Sequence, residues 1–377
     1  MIQSVTIENY KIHRRLIMEL GGLTVLTGAN SSGKSSVLQA LLMLRQSYLQ
    51  GTLGEGLMLN GDLVTVGLCK DALCQNADVD YIGIGLNLVN GGAMWKWAAG
   101  DVNMGKDFLP VIESPAIELW RATALFGVDF QYVSAARMEP SESYPLNTNM
   151  VETKRQLSQR YGKCDLVAHF LYHYGKENKI QVLPDMICGN NDATDLLSQV
   201  SMWEQVISPD VNVEPGKGEK SYSLKYSYQM GGDRSEAFSA TNVGYGLSYA
   251  LPVVVALLSA RKGSLILIEN PEAHLHESAQ AELGILLGRA AQAGVQVIVE
   301  THSNHILNGI LVASKRFENG EAGVDKDLVR IYYMRRHQEE LAATAEEIKI
   351  VGDGKIDYQP DGFFTRQDKD LSYLLGF

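Results

Sequence analysis

Residues 28–35, with the sequence GANSSGKS, carry the most specific chemical pattern in the chain. Gly28 and Gly33 allow a tight turn whose backbone N–H groups face one concavity, and the N-terminus of a following helix adds partial positive charge for phosphates. Lys34 can reach the β- and γ-phosphates, while the Ser35 hydroxyl suits Mg²⁺. The alternative is a glycine-rich turn without a ligand. The predicted nucleoside triphosphate site consists of Gly28, Ala29, Asn30, Ser31, Ser32, Gly33, Lys34, Ser35 and Ser36.

A second chemical pattern is an apolar run that ends in acids, LILIENPEAHLH at 265–276. P-loop enzymes need a second carboxylate on a neighbouring strand to hold Mg²⁺, directly or through water. Glu269 follows four apolar residues and is therefore the predicted metal carboxylate beside Ser35; a solvated acid at a strand end is the alternative.

A third pattern is the apolar run 295–299, which leads into the sequence ETHS. In an open parallel sheet the carboxyl ends of the strands share one edge, where ligands collect. His302 is therefore expected near the γ-phosphate or the attacking water. A lone histidine that is simply hydrogen-bonded is the alternative.

These patterns need a parallel sheet to bring them together. A short apolar strand at 23–27 leads into the glycine-rich motif, and apolar residues recur at helical spacing from 34 to about 48. The strand 265–268, a helix over about 277–291 and the strand 295–299 follow the strand-helix-strand order of a parallel sheet covered by helices.

Composition favours a large globular protein. The chain has 377 residues, 45% hydrophobic and 20% charged, and its length predicts two domains or one domain with a big insertion. The formal net charge of -11 gives no global basic field for nucleic acid.

The N-terminal sequence lacks the apolar core of a signal peptide, and no apolar run is long enough to span a bilayer. The chain is therefore expected to be soluble and cytoplasmic, with no membrane partner. Its cysteines, without C-x-x-C or zinc-finger spacing, are expected to be reduced thiols: Cys69, Cys74, Cys164 and Cys188.

Five segments occur in a fixed order: IENYKIH, LTVLTGANSSGKSSVLQALLMLRQS, NVGYGLSYALPVVVAL, LILIENPEAHLHESAQ and VIVETHSNHILNGI. Together they resemble the ABC-type ATPases of the RecF, SMC and OLD (overcoming lysogenisation defect) group. More narrowly, they resemble bacterial stand-alone ATPases with a small C-terminal domain of unknown function, which end in a P-x-GFF pattern like that at 360–364. The resemblance covers roughly 1–70 and 235–377. It implies an α/β fold, a P-loop ABC-type ATPase with a mixed sheet flanked by helices, plus an inserted helical and strand-rich lobe.

The expected domain layout places the ATPase at both ends of the chain around a strand-rich middle. The divisions are 1–70 for the N-terminal part of the ATPase domain, 71–235 for a strand-rich region with an inserted helical lobe at about 150–205, 236–315 for the C-terminal part of the ATPase domain, and 316–377 for a small C-terminal domain.

The resemblance also implies roles for individual residues. The segment 28–36 corresponds to Walker A, Glu269 to the Walker B metal carboxylate and His302 to the switch histidine. Four further residues stand where the ABC signature stands, at the N-terminus of a helix that caps the γ-phosphate of ATP on a second subunit. They are Asn242, Gly244, Gly246 and Ser248. Gly-flanked N–H groups that open a helix suit an anion, although a tight turn before a core helix is the alternative.

One departure from the family pattern bears on catalysis. Most relatives place the catalytic Glu directly after the Walker B acid, where this chain has Asn270. The narrower group shares the E-N-P-E pattern, so Glu272 is the expected replacement base, and it forms the predicted catalytic set with Lys34 and His302. No glutamine corresponds convincingly to the family's Q-loop.

The resemblance implies an ATP-hydrolysing switch that uses ATP and Mg²⁺. Two subunits, in a homodimer or higher homo-oligomer, would enclose two ATP molecules, and hydrolysis would reopen them. Such ATPases regulate a separate effector, a nuclease or toxin, in anti-phage defence or genome maintenance. One alternative, kept open by Asn270, is a slow or non-hydrolysing scaffold that sequesters an effector. Another is a RecF-like DNA-repair ATPase that binds duplex DNA directly; the net charge of -11 counts against it.

Overall fold

The computed structural model of the chain describes residues 1–89, 91–189, 192–337, 342–360 and 373. Residues 361–364 of the P-x-GFF pattern, and with them part of the expected 316–377 domain, lie outside the described residues.

The chain contains both strands and helices along most of its described length. The strands, in chain order, are Ile2–Tyr10 (β1), His13–Glu19 (β2), Leu23–Gly28 (β3), Gly56–Met58 (β4), Tyr81–Leu88 (β5), Gly91–Ala98 (β6), Phe108–Glu113 (β7), Phe130–Val133 (β8), Tyr144–Pro145 (β9), Val211–Lys217 (β10), Ser221–Met230 (β11), Asp233–Arg234 (β12), Phe238–Ser239 (β13), Leu265–Glu269 (β14), Gln296–Glu300 (β15), Val329–His337 (β16), Ala342–Ile348 (β17), Ile350–Gly352 (β18) and Lys355–Ile356 (β19). The α-helices are Lys34–Leu49 (α1), Cys69–Ala72 (α2), Ile117–Trp120 (α3), Val167–Phe170 (α4), Leu196–Ile207 (α5), Tyr245–Leu258 (α6), Glu277–Gln292 (α7) and Asn304–Glu318 (α8).

A six-stranded sheet in the order β17-β16-β3-β15-β14-β8 forms the centre of the molecule. Its strands run parallel except β17, which is antiparallel to β16. The strand β15 lies between β3 and β14, so the carboxyl ends of these three strands meet at one edge. The predicted α/β fold, a mixed sheet flanked by helices, is confirmed.

Both faces of this sheet are buried. Val25, Ile266 and Val297 point into a core shared with α6, α7 and α8. Their neighbours Leu26 and Leu267 point into a second core, shared with α1 and an antiparallel sheet in the order β2-β1-β5-β6-β7-β4. Continuous apolar runs, rather than alternating ones, are what strands buried on both faces require.

The elements around the glycine-rich motif follow the sequence patterns closely. The predicted strand and helix are confirmed as β3 and α1, and the predicted strand-helix-strand order as β14, α7 and β15. The middle of the chain contributes α4, α5 and the π-helical turns Asn149–Thr153 and Leu171–Glu177. It also forms a five-stranded sheet in which β11 pairs with β9, β10, β12 and β13. The central sheet draws strands from each of the ranges 1–70, 71–235, 236–315 and 316–377.

Candidate functional site

The glycine-rich loop connects β3 to α1 with a backbone that only glycine adopts easily at two points. Gly28 has a φ of +133° and Gly33 a φ of +92°. A Cβ on Gly28 would collide with the carbonyl oxygen of Met334, and one on Gly33 would lie 2.6 Å from His13 Nε2. Both glycines are therefore required by close packing as well as by the turn itself.

Lys34 lies inside this loop rather than in solvent. The side chain is 3% exposed, and its Nζ donates hydrogen bonds to the carbonyl oxygens of Gly28 at 3.0 Å and Ala29 at 2.8 Å. Burial lowers the pKa of the ammonium, while the carboxylates of Glu300 and Glu272 oppose that shift. The loop thus presents a cation beside two acids, a suitable arrangement for a phosphate and its counter-ion.

Ser35 contacts a carboxylate that the sequence reasoning did not single out. Its hydroxyl donates a hydrogen bond to Oε1 of Glu300 at 2.9 Å, from α1 to the end of β15. Glu300 is 6% exposed, and its Oε2 is buried without a hydrogen-bond partner. Burial raises the pKa of this carboxyl, and the Ser35 hydrogen bond partly offsets the rise.

Glu269, the predicted metal carboxylate, lies one strand further from the loop. Its oxygens accept hydrogen bonds from the Tyr132 hydroxyl at 3.1 Å and the Ala135 N–H at 3.2 Å. Burial raises the pKa of Glu269, and these two donors and the Arg137 guanidinium oppose the rise. The sheet order explains the difference, because β15 separates β14 from β3 and places Glu300 against Ser35.

Mg²⁺ fits the residues at this edge. Hydroxyl and carboxylate oxygens are its preferred protein ligands, and it is usually held by one or two carboxylates together with substrate phosphates and water. The unpaired buried Oε2 of Glu300 has the chemistry of such a ligand. Within the described residues no group of three or more His, Cys, Asp or Glu side chains is placed to hold a metal by itself.

Glu272 and His302 lie together, on the segments that follow β14 and β15. Oε1 of Glu272 accepts a hydrogen bond from the His302 N–H at 2.8 Å, and its Oε2 accepts one from the Thr301 hydroxyl at 2.8 Å. Partial burial lowers the pKa of His302, with Lys34 adding to the effect and Glu272 opposing it. The shift favours the neutral form of the imidazole.

Asn270 occupies a strained turn just after β14. Its φ is +42°, its N–H donates to the Glu300 carbonyl at 2.8 Å, and its side-chain oxygen is buried without a partner. Its own carbonyl accepts a hydrogen bond from Arg137 at 2.7 Å. The backbone of Asn270 thus ties the turn to the next strand, while its amide oxygen stays available as an acceptor.

Arg137 holds this turn from the loop after β8, a role that sequence reasoning missed. The side chain is 3% exposed, and Nη1 donates to the carbonyl oxygens of Glu269 at 3.0 Å and Ser134 at 3.2 Å. Its guanidinium carbon lies 5.5 Å from the ring centroid of Tyr249, in α6. Arg137 therefore links the acidic turn to the helix that carries the signature-like residues.

The signature-like residues occupy the start of α6. Asn242 and Gly244 are exposed, and Gly244 is the N-cap, which offers no side chain to the first N–H groups of the helix. Gly246 packs closely, since a Cβ there would lie 2.9 Å from the His274 carbonyl oxygen. Ser248 is buried, and its hydroxyl points into the core without a hydrogen-bond partner. Exposure therefore separates the first two residues from the other two.

An open cavity of about 520 Å³ lies over the glycine-rich loop. Its lining brings together most of the predicted loop with Glu300 and His302: Lys11, Ile12, Asn30, Ser31, Ser32, Gly33, Lys34, Ser35, Ser36, Gln39, Glu300 and His302. The start of α6 does not line this cavity within the described part of the chain.

Two protein families match parts of the chain. Residues 1–84 match the family described as "AAA ATPase domain", and residues 168–308 match "AAA domain, putative AbiEii toxin, Type IV TA system". Comparison with curated proteins gives no match.

Solved structures with a similar fold include heads of SMC proteins. One is an SMC head bound to the C-terminal winged-helix domain of ScpA, with 12% identity, a TM-score of 0.55, and coverage of 93% of this chain and 98% of that one. Another is an SMC head with an extended coiled coil bound to the C-terminal domain of ScpA derived from Pyrococcus furiosus, with 12% identity, a TM-score of 0.50, and coverage of 100% and 98%. The chain therefore has the fold of an SMC-head-type P-loop ATPase. Taken with the two family matches, this fold supports ATP binding and hydrolysis. Among the described residues, no helix is long and apolar enough to cross a membrane.

Proposed function

We propose that the chain is a Mg²⁺-dependent ATPase that closes as a homodimer around ATP and reopens on hydrolysis. The observation that carries this proposal is the contact of the Ser35 hydroxyl with Glu300 at 2.9 Å, beside Lys34 and the Glu272–His302 pair. A phosphate-binding loop, an oxygen site for Mg²⁺ and a candidate base are thus joined at one sheet edge.

Each residue has a distinct part in this mechanism. The N–H groups of 28–36 and the Lys34 ammonium bind the phosphates and stabilise the charge that develops on them. Ser35 and Glu300 would hold Mg²⁺, with Glu269 supporting from the adjacent strand; bound Mg²⁺ supplies charge neutralisation for the phosphates.

Glu272 and His302 orient the attacking water. Both carboxylate oxygens of Glu272 already accept hydrogen bonds from the loop after β15, which fixes the direction of its remaining lone pairs. The neutral His302 imidazole can donate to the γ-phosphate or accept from the water. Glu272 therefore serves as the catalytic carboxylate. In most relatives this role belongs to the residue directly after the Walker B acid.

The second subunit contributes the start of α6. Asn242 and Gly244 are exposed and lie away from the cavity over the chain's own P-loop, and the first N–H groups of α6 have no side-chain cap. Such a helix end binds anions. ATP bound to one copy is its expected occupant in the dimer, with Gly246 and Ser248 supporting from behind.

The proposed partners are a second copy of the chain and a separate effector. The two SMC heads of similar fold are each described as bound to a domain of ScpA, which supports docking of a further protein on a head of this kind. One matching family is described as a putative toxin of a toxin–antitoxin system. An effector with nuclease or toxin activity, in anti-phage defence or genome maintenance, is consistent with these descriptions.

A slow or non-hydrolysing scaffold is the second candidate function. Asn270 stands where most relatives carry the catalytic carboxylate, and its buried side-chain oxygen accepts no hydrogen bond. An amide accepts a hydrogen bond from water without removing its proton. In this candidate, ATP clamps an oligomer that sequesters the effector.

Light scattering coupled to size-exclusion chromatography tests the dimer. With ATP and Mg²⁺ the wild-type molar mass is expected to double, while Lys34→Ala remains monomeric because it loses the phosphate cation. A wild type whose mass is unchanged by ATP, at concentrations where it binds the nucleotide, overturns the dimer.

A further inference from the structure

A cavity of about 310 Å³ lies behind the central sheet, at the end of α1 opposite the P-loop. It opens between α1, the turn around Leu63, the loop before β8 and the segment after residue 150. Its volume lies at the lower end of the range for small-molecule sites. Among the residues that line it, only Tyr132 is connected to the nucleotide site.

The cavity contains a buried cation without a counter-ion. Arg45 is 4% exposed, and Nη1 donates to the carbonyl oxygens of Leu125 at 2.5 Å and Gly127 at 3.0 Å. The guanidinium carbon lies 4.1 Å from the ring centroid of Phe130. In the described chain Arg45 forms no ion pair, and both hydrogen bonds use the same nitrogen. Burial lowers its pKa to about 9.

The rest of the lining combines charged, neutral polar and apolar side chains. Lys154 lines the cavity and forms no ion pair within the described residues, whereas Arg160 is paired with Asp62 at 3.0 Å. Two cations, Arg45 and Lys154, are therefore left without an acid. Leu63, Phe126 and Met150 provide apolar walls.

We propose that this cavity binds a small anion with an apolar body, such as an aryl or alkyl carboxylate or phosphate, with Arg45 and Lys154 as its charge partners. A buried guanidinium costs free energy unless it is paired, and its planar fork matches carboxylate and phosphate oxygens. The apolar walls fit the body of the ligand. Inorganic anions would satisfy the charge and leave those walls uncovered.

Tyr132 connects this cavity to the nucleotide site. Its side chain lines the cavity, and its hydroxyl donates to Glu269 at 3.1 Å. A ligand that moves this ring also moves the donor of a carboxylate at the sheet edge, so occupancy is expected to change ATP turnover. This consequence rests on the proposed ATPase function, whereas ligand binding itself does not.

Titration calorimetry on the full chain, without nucleotide, tests the site with three probes: 3-phenylpropionate, its neutral amide 3-phenylpropanamide, and inorganic phosphate. The acid is expected to bind with a Kd of about 1 mM or tighter, and the amide and phosphate each about tenfold more weakly. Equal affinities for the acid and the amide, or no measurable binding of any probe at several millimolar, overturn the proposal.

Two variants in the cavity and one control test where 3-phenylpropionate binds. Met150→Trp, which fills the cavity, is expected to abolish binding of 3-phenylpropionate, and Lys154→Gln to weaken it severalfold. Lys220→Gln, at an exposed lysine outside the lining, is the matched control and should bind as wild type does. Thermal unfolding of each variant verifies that it is folded. Unchanged affinity in both cavity variants places the probe elsewhere and overturns the site, and binding without any change in ATP turnover overturns only the regulatory consequence.

Discussion

Glu300→Gln is expected to weaken Mg²⁺ binding while sparing the fold. Glu300 is 6% exposed, with one carboxylate oxygen bonded to the Ser35 hydroxyl at 2.9 Å and the other buried and unpaired. Interactions of a charged group of this kind contribute about 1.5–3 kcal/mol. A neutral amide of the same size should therefore raise the Mg²⁺ concentration for half-maximal ATP turnover by roughly 10- to 150-fold.

The same substitution, Glu300→Gln, is expected not to destabilise the folded chain. Burial raises the pKa of Glu300, so the folded chain disfavours its ionised form. An acid whose pKa is higher in the folded than in the unfolded state costs stability as the pH rises above its unfolded value. Gln removes that cost, and the unfolding temperature measured at neutral pH without nucleotide or metal should equal or exceed that of wild type.

Glu269→Gln is the matched control, since it changes the acid at the end of the neighbouring strand β14. Glu269 bonds to Tyr132 and the Ala135 N–H rather than to Ser35. Phosphate release is measured over a Mg²⁺ titration for wild type and both variants after removal of divalent ions. An equal or larger shift for Glu269→Gln, or a Glu300→Gln variant with wild-type Mg²⁺ dependence, would refute the reasoning.

Four other substitutions test the site and the elements around it. Glu272→Gln is expected to trap an ATP-bound dimer in size-exclusion chromatography, whereas Asn270→Ala keeps most of its turnover; trapping by Asn270→Ala alone would reverse the roles. Arg137→Met leaves three backbone carbonyls without their donor, one from a buried and two from partly buried hydrogen bonds. A buried acceptor left unpaired costs about 1–3 kcal/mol, so the free energy of unfolding in urea should fall by about 2 kcal/mol or more; a loss below about 1 kcal/mol contradicts this. Glu204 is fully buried with both carboxylate oxygens unpaired, and burial raises its pKa well above the usual value. Wild-type stability should therefore fall as the pH rises above the unfolded pKa of about 4.3, and Glu204→Met should flatten that profile; parallel profiles would argue against it.

Local patterns in the sequence predicted the parts of the fold that depend on neighbouring residues. The strand before Gly28 and the helix from Lys34 follow from apolar spacing and the P-loop motif, and both are present as β3 and α1. The same holds for β14, α7 and β15, because buried parallel strands need uninterrupted apolar runs.

The order of the strands in the sheet could not be predicted from local sequence patterns. Glu269 and Glu300 both end apolar strands, and the sequence gives no reason to prefer the second. The structure places β15 next to β3, so Glu300 meets Ser35. An acid at the end of each strand was a signal that could have marked both as metal candidates.

Arg137 and Tyr132 were missed for a related reason. Both belong to β8 and the loop after it, a segment of the strand-rich middle that carries no motif. Pairing of β8 with β14 brings their side chains to the turn at 269–270. Contacts between segments more than a hundred residues apart depend on this pairing and not on spacing along the chain.

Steady-state phosphate release tests the central claim most directly. Purified wild type and Lys34→Ala are compared with saturating ATP and Mg²⁺, with and without double-stranded DNA. An ATPase built on this site predicts wild-type turnover clearly above that of Lys34→Ala in at least one condition. Wild-type release no faster than Lys34→Ala in both conditions would contradict hydrolysis and favour the nucleotide-clamped scaffold.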